Sequence, residues 1–310
     1  MVDSKQQWKA WLYLAPTLIL LLVFTVWPII NTVRMSLLEG YGLNKASNPF
    51  IEFEFGLQNF ITVIQYPRFL SCLKTTALLC VITVPVSTIL ALLIAVALNS
   101  IKPLSRFLQT IFFLPYVTNS IAIGMVFAAM FNIVGTADYT VTAGIINNVI
   151  EFFGGEKINW INQGSTYWTN MTVMIVYIVW NALPFKILVL LGGLQGINKQ
   201  YYEAAKVDGT SRSRVFMRIT VPLLSPMIAY VVITGFMGGF KEYSSIVGIF
   251  GENMGPANKP GRLNTIVGFI YDSLPADQQG VASAAALILF GIILIITLIN
   301  LQVSKKKVHY

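Results

Sequence analysis

Charge is scarce in this chain. Only 11% of its 310 residues are Asp, Glu, Lys or Arg, whereas 55% are hydrophobic and the mean hydropathy is +0.69. A soluble domain carries about 25% charged residues, so a water-soluble globule is excluded for want of polar surface. Histidine and cysteine are nearly missing as well. The one histidine, His309, stands beside lysines at the end of the sequence, and Cys72 and Cys80 have no metal-ligand partners at a useful spacing. Both thiols read as packing residues and no metal site is expected. No Ser/His/Asp set and no pair of carboxylates falls in an apolar stretch, which argues against a membrane-embedded enzyme. There is no G-x-x-x-x-G-K-[ST] loop, so the chain carries no phosphate cradle and no cofactor of its own is expected.

What is present is a set of long apolar blocks. A spanning helix needs about 20 mainly apolar residues, because ~30 Å of hydrocarbon is crossed at ~1.5 Å per residue. Six blocks meet that length: Trp11–Val33, Cys72–Leu98, Phe107–Phe131, Thr169–Leu191, Pro226–Phe250 and Val281–Val303. The expected fold is therefore all-α, a polytopic helical bundle of six spans, with residues 1–310 forming one transmembrane domain. The first block is too long for a secretory signal and no small-x-small cleavage site follows it promptly, so a retained anchor helix is expected.

The net charge is +8 with a pI near 9.4. The basic residues lie scattered between apolar blocks rather than in a stripe, which points to membrane topology and not to nucleic acid. With a cytoplasmic N-terminus, the inside segments hold Lys5, Lys9, Lys102, Arg106, Lys199, Lys206, Arg212, Arg214, Arg218, Lys305, Lys306 and Lys307, 12 in all. The outside segments hold 7: Arg34, Lys45, Arg68, Lys74, Lys157, Lys259 and Arg262. Of the acids only Asp3, Glu203 and Asp208 fall inside. Both termini are accordingly expected in the cytoplasm. Outside, residues 132–168 form an amphipathic stretch ending in Trp160 and Trp168, and residues 251–280 are rich in Gly and Pro.

The connector 194–225 is the informative loop. Asn198 is a candidate N-cap, Tyr202, Ala205 and Lys206 follow at helical spacing, and Gly209 ends the helix. A second helical piece starts after Thr210 or Ser211, with Val215, Phe216 and Ile219 on one face and Arg212, Arg214 and Arg218 toward another. Pro222 and Pro226 punctuate the return to the membrane. The expectation is a compact helix–turn–helix, the kind of knob with which a membrane protein presses on a soluble partner.

Glu203-Ala204-Ala205, with Gly209 beyond it, then Phe216, Ile219, Pro222 and Pro226, resembles the EAA loop of binding-protein-dependent ABC permeases. The pair Asp208-Gly209 resembles the carbohydrate branch of that family. So do Gly56-Leu57-Gln58-Asn59-Phe60 and Asn253-Met254-Gly255-Pro256. Two positions depart from the pattern: Asn198 stands where Pro is usual and Thr210 where Ala is usual. The resemblance implies a MetI-like fold and a multi-pass protein of a prokaryotic inner or plasma membrane. It implies that Glu203, Ala204, Ala205, Asp208, Gly209, Arg212 and Phe216 dock into a cleft of a separate ATPase dimer, which binds the ATP. The other implied partners are a second, similar permease subunit, an extracytoplasmic solute-binding protein, a sugar and membrane lipid. A permease for a non-sugar solute such as a glycerol phosphate ester stays open, as does a secondary carrier or channel, although Glu242 is the only acid within a block.

Polar groups inside spans are costly and mark candidate solute contacts. Lys186 follows Pro184, which interrupts the fourth block. Lys241, Glu242, Tyr243 and Ser244 offer an ion pair, a phenol and a hydroxyl to a hydrated cavity, and in similar sugar permeases this stretch lines the substrate path. The plain alternative is that Lys241 and Glu242 only neutralise each other, and that Lys186 serves a gate or subunit contact. Trp180 and Tyr177 are sugar platforms or packing; Arg262 and Asn264 are weaker candidates.

Overall fold

The computed structural model describes residues 7–42, 53–101, 105–136, 139–275 and 277–307. Asp3, Lys5, Lys45, Lys102 and His309 lie outside the described residues. The first helix, α1 (Gln7–Leu21), passes through a π turn at Leu22–Val26 into α2 (Trp27–Leu37). Then come α3 (Gln58–Gln65), α4 (Pro67–Ser100), α5 (Ser105–Val117) and α6 (Ser120–Phe131). A hairpin, β1 (Ile133–Thr136) with β2 (Tyr139–Ala143), is antiparallel with a bulge at Val134/Gly135 and is the one strand pair among the described residues. It is followed by α7 (Ile145–Phe152), α8 (Tyr167–Gln195), α9 (Gln200–Val207) and α10 (Arg212–Val215). A second π turn, Phe216–Thr220, leads to α11 (Val221–Leu223), α12 (Ser225–Gly239), α13 (Ser244–Phe250), α14 (Ile266–Ser273) and α15 (Gln279–Lys307). The fold is all-helical apart from the hairpin.

Among the described residues, four helices are long and apolar enough to cross a membrane: Trp8–Leu37, Pro67–Ser100, Tyr167–Gln195 and Gln279–Ser304. Two bent pairs, Phe107–Val117 with Ser120–Phe131 and Arg212–Leu223 with Ser225–Gly239, raise the number to six when each pair is one span. Two blocks expected as continuous are broken, and the causes are local. The third bends by 100° at Thr118-Asn119. Pro115 removes an N–H there, the Thr118 hydroxyl bonds back to the Pro115 carbonyl (2.8 Å), and Asn119 is extended. The Asn119 side chain then accepts from the N–H groups of Ile121 (2.8 Å) and Ala122 (3.3 Å), starting α6 afresh. The fifth block stops at Gly239, where two successive glycines weaken the helix. It restarts as α13 after Glu242 accepts from the backbone N–H groups of Tyr243 and Ser245, both at 3.1 Å.

The chain divides into two compact units. The first, Met1–Leu70 with Phe269–Gly291, explains the Gly-Leu-Gln-Asn-Phe stretch. Asn59 is buried and donates to the carbonyls of Ser36 (3.0 Å) and Leu38 (2.8 Å), clasping the end of α2. Phe69 meets Phe269 edge-on at 5.4 Å, and Arg68 pairs with Asp272. In the second unit, Ser71–Gly268 with Ile292–Tyr310, one core gathers Phe127, Met174, Tyr177 and Ile246. Another packs Ala91, Ala95, Leu190, Leu194 and Leu224. The alanines on α4 are fully buried against the leucines of α8 in this core. In the same unit α6 and α13 touch backbone to backbone. A Cβ on Gly124 would lie 2.7 Å from the Gly248 Cα.

Candidate functional site

The 194–225 connector folds as its sequence pattern predicts. Asn198 accepts from the Gln200 N–H (3.0 Å), an Asx turn that leads into α9, whose N-cap is Lys199 rather than Asn198 and makes no side-chain cap bond. At the far end Gly209 has φ +67°. The Thr210 N–H donates to the Ala205 carbonyl (2.9 Å) and the Gly209 N–H to the Lys206 carbonyl (3.2 Å), the paired bonds of a Schellman turn. A Cβ on Gly209 would meet nothing within 4 Å, so the left-handed backbone alone demands glycine here. Ser211 is extended and α10 begins. The Tyr202 hydroxyl lies 3.3 Å from the Thr220 hydroxyl and ties the two arms together.

Glu203, Ala204, Asp208, Gly209 and Arg212 are exposed on this hairpin, and Phe216 is half-buried beside Val215. Ala205 is only 6% exposed, yet it lines one open cleft on the hairpin together with Ala204, Asp208 and Tyr201. One residue further round α9, the Ala204 methyl points out.

A cavity of about 440 Å³ opens within the second unit, walled by α4, α5, α8 and α12. That volume is in the range of small-molecule pockets. Lys186 lines it, yet it is 3% exposed. Its ammonium donates to the Ser87 hydroxyl (2.7 Å), the Thr88 hydroxyl (2.9 Å) and the Val84 carbonyl (3.1 Å), using all three protons. Both hydroxyls in turn bond back to carbonyls of α4. Gly235 and Gly239, one helical turn apart on α12, make room for this arrangement. A Cβ on Gly235 would stand 3.3 Å from the Lys186 Nζ, and one on Gly239 would stand 2.7 Å from the Cys80 Sγ.

Glu242 lines the same cavity from the break between α12 and α13. Both backbone bonds it accepts fall on Oε1, and its own carbonyl accepts from the Thr265 hydroxyl (2.8 Å). The expected ion pair with Lys241 does not form. Lys241 is exposed, while Glu242 is turned to the backbone of α13, where a carboxylate satisfies otherwise orphaned N–H groups. Of the other expected contacts, Lys241, Tyr243 and Ser244 do not line the cavity. Trp180 instead packs on Phe127 with ring centroids 5.2 Å apart. Tyr177 is fully buried, its hydroxyl donating to the Ser120 carbonyl (2.6 Å). Arg262 donates to the Ser165 carbonyl (2.6 Å) and to Asn170 Oδ1 (3.2 Å), clamping the start of α8. Asn264 is buried at 2% exposure away from the cavity.

The wall holds residues that sequence reasoning passed over: Tyr116, Thr118, Ser120, Asn181, Phe185 and Thr234. Tyr116 and Phe185 stack at 5.9 Å with an interplanar angle of 19°. The overlooked signal was the uncharged polar residue inside an apolar block, Asn181 above all.

Residues 84–309 match the family model described as the inner membrane component of binding-protein-dependent transport systems. The chain belongs to this family. Among its curated relatives, the lactose transport system permease protein LacF of Rhizobium radiobacter is 31% identical over 81% of this chain and 78% of its own length. The arabinooligosaccharides transport system permease protein AraP of Bacillus subtilis is 30% identical over 95% of this chain and 88% of its own. A bacterial ABC transporter chain involved in alginate import shares the fold, with a TM-score of 0.77, 22% identity and coverage of 98% of this chain and 97% of that one. The permease is thus a multi-pass, non-catalytic membrane component that works with a solute-binding protein.

Proposed function

We propose that the permease forms half of a sugar-conducting pore in an ATP-driven importer and takes its power stroke through the hairpin at 194–225. The observation that carries the reading is the Schellman turn at Gly209, which ends α9 and leaves Glu203, Ala204 and Asp208 exposed together. An ATPase dimer receives this knob, with Arg212 and Phe216 on the second arm steadying it. Tyr202 acts from inside, by fixing α9 against Thr220. A second, similar permease completes the pore, and the two units of this chain serve as one domain of it. The 12-to-7 division of basic residues supports a cytoplasmic hairpin and cytoplasmic termini.

The sugar path runs past Glu242, Asn181, Tyr116 and Phe185. Hydroxyls of a sugar need acceptors and donors, and its C–H faces need aromatic rings. The relatives named for lactose and arabinooligosaccharides support an oligosaccharide or glycoside as solute. Lys186 has no proton left for a phosphate, which favours a neutral sugar over a glycerol phosphate ester.

The test is uptake of labelled oligosaccharides by cells expressing the permease with its ATPase, second permease and binding protein. Gly209→Val, which cannot hold the left-handed backbone, should abolish most uptake while membrane insertion persists. Full uptake by that variant would remove the coupling role from the hairpin.

A further inference from the structure

The short helix α7 is amphipathic, and most of its apolar face is uncovered. Ile146 packs against the core and Asn147 is fully buried. On the opposite side Ile145, Val149 and Phe152 fall at i, i+4 and i+7, exposed by 58%, 50% and 84%, and the adjoining Phe153 is 81% exposed. The apolar stripe of an amphipathic helix is ordinarily covered by a core or another apolar phase. This one is not an unanchored loop that could turn its face elsewhere.

Its position is set at both ends. The Gly144 N–H donates to the Asn132 carbonyl (2.8 Å), directly after α6. Asn147 accepts from the Ile158 N–H and donates to the Ile158 carbonyl, both at 3.0 Å, and also accepts from the Trp160 indole N–H (3.2 Å). The Trp160 carbonyl in turn accepts from Asn170 (2.7 Å) in the first turn of α8. That helix is one of the four unbroken spans, and Trp168 at its N-terminal end is 64% exposed. Tryptophan at the end of a span marks the headgroup level of a bilayer. The chain of bonds from Asn147 to Asn170 therefore holds α7 near that level.

We propose that α7 is an interfacial helix, lying in the membrane with Val149, Phe152 and Phe153 among the first acyl carbons. The occupant of its open face is lipid, because the bonds to Asn170 hold that face at the Trp168 end of a spanning helix, where the headgroups give way to acyl chains. The helix carries no Lys or Arg, and the nearby Lys157 is paired with Glu151 (3.3 Å), so zwitterionic lipid suffices. The chemistry is that of a side-on amphipathic segment: an apolar face inserted by 5–10 Å, roughly, with Asn148 and Glu151 kept toward water. Such a helix pins the segment between α6 and α8 to one leaflet.

The experiment places a spin label on a cysteine at Val149, Phe152 or Glu156 in turn. The permease is purified with its co-expressed partners in phosphatidylcholine nanodiscs; the buried Cys72 and Cys80 stay in place, and the unsubstituted protein reports any background labelling. The labels at 149 and 152 should collide more with oxygen than with a water-soluble nickel chelate, and the label at 156 should show the reverse. Greater nickel accessibility at 149 and 152 overturns the proposal, since the face is then in water. Protection of both labels from both reagents overturns it equally, since a protein then covers the face. If labelling at 152 blocks assembly, 149 reports on the same face.

Discussion

The Lys186 ammonium sits 2.7 Å from the Ser87 hydroxyl and is fully occupied by oxygens of one neighbouring helix. A cation in a transporter cavity invites the idea of a solute contact. Here its bonds join α8 to α4, close to the proline of each helix, Pro184 and Pro85. Lys186 is a strut in the cavity wall.

Lys186→Ala should therefore act on stability. Losing hydrogen bonds to a charged group costs about 1.5–3 kcal/mol each at most, and the two hydroxyls keep their own carbonyl partners. A fall of several degrees in the thermal unfolding midpoint of the purified assembly is expected, with the apparent KM for oligosaccharide within about twofold, under 0.5 kcal/mol. A large rise in KM with unchanged stability would reverse the assignment.

Glu242→Gln separates charge from capping. A glutamine oxygen still accepts from the N–H groups of Tyr243 and Ser245, so α13 should form. A charge-assisted bond to a sugar hydroxyl weakens on losing the charge, and a rise in apparent KM of about tenfold corresponds to about 1.4 kcal/mol. Uptake kinetics decide the matter. An unchanged KM would remove Glu242 from the solute path.

At Gly209 the requirement is a backbone angle and not space. Asn tolerates the left-handed region and β-branched residues do not. Gly209→Asn should keep a substantial part of uptake, whereas Gly209→Val should lose most of it and uncouple solute-stimulated ATP hydrolysis. Equal loss in both variants would mean that the position touches its partner directly.

Gly248→Ala tests the opposite case. Its methyl would fall 2.9 Å from the Gly124 Cα and 3.0 Å from the Ile121 carbonyl, and both are backbone atoms. Overpacking of this kind costs about 1–3 kcal/mol. The expected result is a lower unfolding midpoint with the hairpin at 194–225 intact, as read by ATPase binding.

Much of this was legible in the linear pattern. The spans followed from runs of apolar residues, and the hairpin followed from a cap, a glycine and two prolines. Asn198 missed the N-cap by one residue: Lys199 holds that place, and Asn198 forms the Asx turn before it. What could not be read was any feature requiring two segments far apart in sequence. Lys186 meets Ser87 and Thr88 about a hundred positions away, and nothing local to Lys186 reveals that its protons are taken. Arg262 was misplaced for the same reason, its partners being Ser165 and Asn170. Glu242 was read as half of an ion pair because Lys241 is its neighbour in sequence. The helix break that turns it into a cap depends on Gly238 and Gly239 yielding first.

The contact between Gly124 and Gly248 has a mechanical meaning. Each glycine lies on a short helix that starts beyond a break, one headed by Asn119 and the other by Glu242. The two short helices are interlocked with each other more tightly than either is with its own long helix. The part of the cavity wall made by the Glu242 break and the Thr118-Ser120 bend is therefore carried by two helices locked into one piece, and Phe127 and Ile246 seat that piece on Met174 and Tyr177 of α8.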